Sequence, residues 1–365
     1  MTLSSTLGPV RTTVPRITSA PNVTSTYSSL LKTVRDAGLL RRTRGYYVAV
    51  MAALTVALAG CVTGFILLGD TWYQLLIAGA LGIILTQFAF LAHEASHRQV
   101  LESGPANDKL GRFLAAGVVG ISYAWWMTKH TRHHGNPNQV GKDPDIEKDT
   151  ISFQEKDAAE RTGFLALITR KQGYLFFPLL TLEGLNLHGR SLQTLFAKGK
   201  VEGRFIELGL ITFRMLAYIA VIFWALPLGM AFAFIGVQMA VFGVYMGASF
   251  APNHKGMPQI AEGVKLDFLR KQVLTSRNIK GGAGMNIFMG GLNFQIEHHL
   301  FPNMPRPHLA AARAIVKEHC RDQDILYTET TLTRSYAIVI DYLNRVGLSA
   351  RDPFDCPAAQ RFRRR

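Results

Sequence analysis

Residues 71–97 read TWYQLLIAGALGIILTQFAFLAHEASH, an uncharged run from Thr71 to Ala92 that leads straight into HEASH at 93–97. A run of that length crosses a hydrocarbon layer of ~30 Å, which takes about 20 helical residues. His93 and His97 stand four apart, so one helix face presents both imidazoles to a common point. The stretch therefore predicts a membrane span whose exit at the membrane surface carries two metal-ligand side chains.

Working outward, Gly45 to Gly69 is uncharged and ends at Asp70, and Met215 to Asn253 is uncharged with Pro227 and Gly229 near its middle. These runs read as two span pairs, at about 46–69 with 72–92 and about 212–228 with 230–250, the second pair turning near Leu226 to Met230. Of the 40 Lys and Arg, 7 precede the first pair, 15 lie between the pairs and 17 follow the second, while neither interspan turn carries any. Cytoplasmic segments collect positive charge, so both termini and the central segment are expected on the cytoplasmic side. Arg214 is expected at the start of the third span, snorkelling to the interface. The fold class is thus an all-α integral membrane protein, with four transmembrane helices in two hairpins and a helical cytoplasmic cap made of 93–211 and 251–352. Its membrane domain covers 27–352, between a disordered tail at 1–26 and a basic tail at 353–365.

The formal charge of +15 requires no nucleic acid, because a basic cap against anionic headgroups accounts for it. Cys61, Cys320 and Cys356 form no CxxC pair and suit a reducing compartment. No signal peptide is evident before Tyr46, and no internal repeat is present. Asn22-Val23-Thr24 matches a glycosylation sequon that a cytoplasmic tail would leave inert.

Two further histidine clusters lie on the same predicted side: His130, His133 and His134 in HTRHH, and His298 with His299 in QIEHH. Seven of the 11 histidines thus sit at helical spacing. Imidazole is the usual nitrogen ligand of zinc, copper, iron and nickel, and seven exceed one ion's shell, so two ions are the natural count. Trp125 and Trp126 mark the interface before HTRHH, and Leu110 to His134 is expected to be an amphipathic, surface-lying helical segment. His254 with Asn253 closes the fourth span and is a further ligand candidate. His188 follows an amphipathic stretch and could ligate or simply be buried. His308 and His319 have no partners at helical spacing and are expected to be surface or capping residues.

These residues resemble the membrane-bound fatty acid desaturases, a histidine-box group that also contains alkane and carotenoid hydroxylases. HEASH, HTRHH and FQIEHHLFP (294–302) look like its three boxes, and GKDPDI (141–146) with GGLNFQIEHHLFP (290–302) is similar to its acyl desaturase branch. Gln295 at the head of the third box resembles the front-end desaturases, whose eukaryotic members usually carry a fused cytochrome b5 with an HPGG motif. No HPGG occurs here. The resemblance implies a long-chain fatty acyl substrate, as acyl-CoA or acyl-lipid, entering from the cytoplasmic leaflet or docking its headgroup on the cap. It implies O2 as co-substrate and a separate electron donor, such as a ferredoxin or an NAD(P)H-dependent reductase. It also implies two iron ions (Fe2+) held by His93, His97, His130, His133, His134, His298 and His299, with His254 as an extra ligand and Gln295 as a weaker one. Unactivated methylene groups yield only to an oxidant, which iron can supply and zinc cannot. Glu94, Asp143 and Asp145 are candidates for orienting the imidazoles from behind.

Other readings remain open at this stage. HEASH also fits the zinc protease pattern HExxH with Glu94 as base, although the second pair of spans offers no acidic ligand. A lipid, alkane or carotenoid hydroxylase would use the same boxes. A metal transporter or haem-binding electron carrier would place histidines inside the spans, where none is expected. A bacterial plasma membrane is the expected location.

Overall fold

The computed structural model describes residues 15–19 and 24–350. The expected tail at 353–365, most of that at 1–26, and Cys356 lie outside them. The chain is mostly helical, and four of its helices are long and apolar enough to cross a membrane: Arg44–Leu68, Gln74–Ser96, Arg204–Ala225 and Leu228–His254. Among the described residues, β structure amounts to two parallel pairs of two-residue strands and one isolated bridge.

The second and fourth long helices form the centre. At Gly82 a side chain would put its Cβ 2.9 Å from the Gln238 carbonyl and 3.0 Å from the Phe242 nitrogen, so the missing side chain lets the two backbones touch. The first long helix packs on the second and otherwise exposes Val48, Val56, Ile66 and Leu67. Exposed aliphatic side chains along a span suit a lipid environment.

Several expectations need correction. The third long helix starts at Arg204, not near 212. Its early turn is anchored by Glu207, which is fully buried and accepts from Ser122 Oγ (2.6 Å) and from the Ala124 N–H (3.2 Å) at the start of the helix that carries HTRHH. A carboxylate at a helix N-terminus meets free N–H groups and the positive end of the dipole. Arg214 therefore falls mid-helix, and it does not reach for a helix end. Its Nε donates to the Val118 carbonyl (3.2 Å) and its guanidinium lies over the Tyr218 ring. The helical segment expected over Leu110 to His134 is interrupted. Gly104–Arg112 continues as a π-helix over Phe113–Val119, the chain turns at Gly120 with φ +94°, and Tyr123–Gly135 follows. Finally, part of the expected disordered tail is paired: Arg16–Ile17 lies parallel to Gln259–Ile260, and Thr26 Oγ1 is 2.8 Å from His319 Nε2.

Candidate metal centre

Four helices end at one place. His93 lies in the last turn of Gln74–Ser96 and His97 caps it; His133 and His134 occupy the last turn of Tyr123–Gly135; His254 ends Leu228–His254; His298 and His299 end Gln295–Leu300. A helix C-terminus carries roughly half a negative charge, so four of them converging favour a cation. Each end is fixed by its neighbours. Ser122 caps the HTRHH helix by accepting from the Trp125 N–H (3.1 Å). The fully buried Arg277 donates to the carbonyls of Pro252 and Lys255 around His254. Asn278 accepts from the Ile296 N–H (2.9 Å) at the start of the third box.

The imidazoles form two groups. His93, His97, His130, His134 and His298 make the first, and His133, His254 and His299 the second, with the ligand atoms of each group within 4.8 Å of one another. His134 and His299 stack at 4.1 Å between ring centres and join the groups. In the second group each Nδ1 is satisfied from behind. That of His133 meets Asp143 Oδ1 (3.0 Å), that of His254 the Thr275 carbonyl (3.0 Å), and that of His299 Gln272 Oε1 (2.9 Å). With Nδ1–H donating outward, each Nε2 presents a lone pair, and His254 Nε2, which the Gln295 NH2 also approaches, faces those of His133 and His299 at 3.3 and 3.1 Å. Lone pairs aimed at one another call for a cation between them. In the first group, His130 Nε2 lies 3.0 Å from His93 Nε2 and 2.7 Å from His97 Nε2, while both nitrogens of His134 and Nε2 of His298 are buried without a partner. Buried polar atoms left bare are rare and need a ligand to explain them.

Protonation agrees with this. Burial, reinforced by neighbouring histidines, holds His130, His134, His298 and His299 well below the usual histidine range, and burial pushes His97 down to about 3. These rings are neutral at pH 7, the state in which imidazole ligates. His133 differs: burial opposes its charge, but Asp143 and Asp145 outweigh burial and raise it.

A family model described as fatty acid desaturase matches residues 70–331. The chain belongs to the fatty acid desaturase family. It is therefore an oxidoreductase, and its relatives agree. It is 26% identical to a Delta(8)-fatty-acid desaturase of Helianthus annuus, covering 91% of this chain and 75% of that one. It is 27% identical to the Delta(6)-fatty-acid desaturase fat-3 of Caenorhabditis elegans, over 88% and 74%. A Delta 8-(E)-sphingolipid desaturase of Lachancea kluyveri is 27% identical over 78% of this chain and 53% of its own. All three are eukaryotic and lend no support to a bacterial membrane.

Within this desaturase, Asp143, a candidate for orienting an imidazole, lies behind His133, and Asp145 Oδ2 is 3.5 Å from the same nitrogen. Gln295 enters the second group, its side-chain amide 2.9 Å from His254 Nε2, and Asn253 Nδ2 holds the other end of that amide at 3.2 Å. Glu94 is a correction. It makes a two-pronged buried ion pair with Arg306 and accepts from Tyr47, and among the described contacts it touches no imidazole. His188 joins neither group; its Nδ1 donates to the Gly184 carbonyl (2.7 Å) in its own helix. His308 and His319 are bonded elsewhere, as expected. Thr275, Gln272, Arg277 and Arg306 could not be foreseen, since polar residues far along the chain carry no local pattern. Glu297 had a signal, lying inside the third box, and it bonds Asn278 and Tyr327.

A cavity of about 360 Å³ reaches His130, His133, His254 and Gln295 from outside, and a smaller apolar one of about 30 Å³ shares Trp126, Met246 and Phe250 with it and touches His93. Trp126 stacks on His130 at 4.6 Å between ring centres. Both groups thus border a space that is apolar along Trp126, Met246 and Phe250 and charged along Lys129, Asp145 and Lys255.

Proposed function

We propose that this chain is an oxygen-dependent fatty acyl desaturase that places a cis double bond in a long acyl chain, using two iron ions and electrons from a separate donor such as a ferredoxin or an NAD(P)H-dependent reductase. The observation that carries the reading is the pair of imidazole groups, joined at His134 and His299 and opening on one cavity that is apolar along Trp126, Met246 and Phe250. One iron would be held among His93, His97, His130, His134 and His298. The other would be held by His133, His254 and His299, with Gln295 beside it. Nitrogen donors of this kind suit iron as well as zinc, but removal of hydrogen from a methylene needs a metal with a redox step. Gln295 and the Delta(8) and Delta(6) names of relatives favour a front-end position for the double bond.

When bound, the irons would supply an oxidant derived from O2 that is strong enough to take hydrogen from neighbouring saturated carbons. Everything else falls to side chains. Asp143, Thr275 and Gln272 fix the ring planes of the second group, so that its lone pairs keep their aim. Trp126, Met246 and Phe250 wall the cavity beside His93 and His130, where they would hold methylenes near the metal and keep water out. The Glu94–Arg306 pair ties the first box to the segment after the third and so fixes the distance between groups. Both termini and the helical cap are assigned to the cytoplasmic side, on the placement of Lys and Arg.

Metal analysis of the purified chain tests this. Two irons per chain, with about one lost in His254→Ala, is the expected result. A single zinc ion per chain would sink the reading.

A further inference from the structure

Between the strand Asn278–Ile279 and the third box, residues 281–291 read GGAGMNIFMGG, and no charge falls between Lys280 and Glu297. The run is too short to cross a bilayer, yet it is apolar and uncovered. Helix Ala283–Phe288 buries none of its residues, and Ile287 and Phe288 are 63% and 44% exposed. Apolar surface left open in this way marks a contact site.

Two polar side chains of the long helices hold the segment. Gln87 Nε2 donates to the Ile287 carbonyl (3.1 Å) and to Tyr245 Oη (2.6 Å), and Tyr245 Oη donates to the Phe288 carbonyl (2.5 Å). The Tyr245 ring also stacks on Phe288 at 5.0 Å between centres. Both partners stand inside the uncharged runs of the second and fourth long helices. Gln87 lies six residues before His93 and Tyr245 nine before His254, or roughly 9 and 14 Å from the metal end of each span. Phe90, three residues nearer that end, packs against Gly290 so closely that a Cβ there would strike its ring. Followed backwards from Gly290 to Ile287, the segment therefore descends the second span from Phe90 to Gln87. Its other end returns to the aqueous cap, where Lys280 is 53% exposed and 3.9 Å from Glu329.

That depth accounts for the hydrogen bonds. A helix leaves its last carbonyls unpaired, and hydrocarbon offers them no donor. Here the carbonyls from Met285 to Phe288 all have one: the Met289 N–H for Met285, the Gly291 N–H for Asn286, Gln87 and the Gly290 N–H for Ile287, and Tyr245 for Phe288. Gly290 and Gly291, with φ +59° and +83°, make the turn that brings those N–H groups back. In water the last carbonyls would need neither a Gln nor a Tyr. Ile83, one turn before Gln87 on the same face and 48% exposed, continues the open surface of Ile287 into the lipid-facing side of the span.

We propose that residues 281–291 form a re-entrant turn that dips into the bilayer on the metal side, with Ile287 and Phe288 among lipid acyl chains, and that Gln87 and Tyr245 hold it there. Insertion depends on the spans and not on iron or turnover, so its failure is distinguishable from failure of the desaturase reading. In a full-length chain with Cys61, Cys320 and Cys356 replaced by Ala, Ile287→Cys is labelled with the fluorophore NBD and the protein is placed in phosphatidylcholine vesicles. Doxyl-labelled phosphatidylcholine, which quenches from within the acyl chains, should act on this label as strongly as on one at Ile83→Cys, and aqueous iodide should act on it as little. A label at Leu326→Cys, a position 73% exposed elsewhere on the chain, should show the reverse. Quenching at Ile287 that resembles Leu326 would overturn the proposal. Shielding from both quenchers would overturn it too, since protein rather than lipid would then cover the segment. Adding Gln87→Leu, which removes the side-chain donor from the Ile287 carbonyl, should shift the Ile287 label from doxyl toward iodide while the Ile83 label keeps its value; no shift would overturn the role given to Gln87. The first comparison decides the insertion even where that variant fails to fold.

Discussion

Asp143→Asn isolates the second imidazole group. Asp143 is fully buried, and its two oxygens accept from three donors: His133 Nδ1 (3.0 Å) and the Asp145 N–H (2.9 Å) at Oδ1, and the Asn138 N–H (2.7 Å) at Oδ2. An amide of the same shape offers one acceptor oxygen and turns an NH2 toward a donor, so at least one of those bonds is lost. An unmatched buried group costs ~1–3 kcal/mol, and loss of the acceptor behind a ligating histidine typically lowers metal affinity about 10–100-fold, or ~1.4–2.7 kcal/mol. The first group has no contact with Asp143 and should keep its ion. Anaerobic titration with Fe2+ against a competing chelator should therefore show one site unchanged and one weakened by that factor. Equal weakening of both sites, or of neither, would refute the assignment of Asp143 to His133 alone.

Other outcomes follow from the same geometry. Glu94→Ala leaves the buried Arg306 charge without its carboxylate and should cost about 3–5 kcal/mol in detergent unfolding, with part regained in Glu94→Gln combined with Arg306→Met; a neutral effect would remove the clamp from the account. Gly243→Val drives a side chain into the Leu180 carbonyl and should lower stability by ~1–3 kcal/mol, whereas Gly236→Val on the same helix, with open space around it, should be near neutral by thermal unfolding. His188→Ala should leave iron content at the wild-type value, because that ring stands in neither group.

The long helices were legible because charge-free runs leave few alternatives, and three of the four appear within a few residues of expectation. The start of the third was missed because a charged Arg214 was expected at the span's beginning, whereas the helix runs back to Arg204. Glu207 is paired to Arg112 and to the N-terminus of the HTRHH helix, partners 95 and 83 positions away that no local pattern reveals. That seven histidines would gather was legible from helical spacing, and His254 from its place at the end of the fourth span. Their division into five and three was not, since that depends on how four helix ends rotate against one another. Glu94 misled for a related reason: its place between His93 and His97 suggests a general base or an imidazole-orienting carboxylate, but its partner Arg306 lies 212 residues away. The break at Gly120 hid in a run of small residues that reads equally well as continuous helix.

The most direct measurement is the fatty-acid methyl ester profile, by gas chromatography and mass spectrometry, of host cells expressing this chain, compared with His133→Ala and an empty vector. A new unsaturated acyl chain that is present with the wild type and absent from both controls is the predicted result, with derivatisation locating the double bond. A hydroxylated chain in its place, or no new species when iron and an electron donor are shown to be supplied, would contradict it.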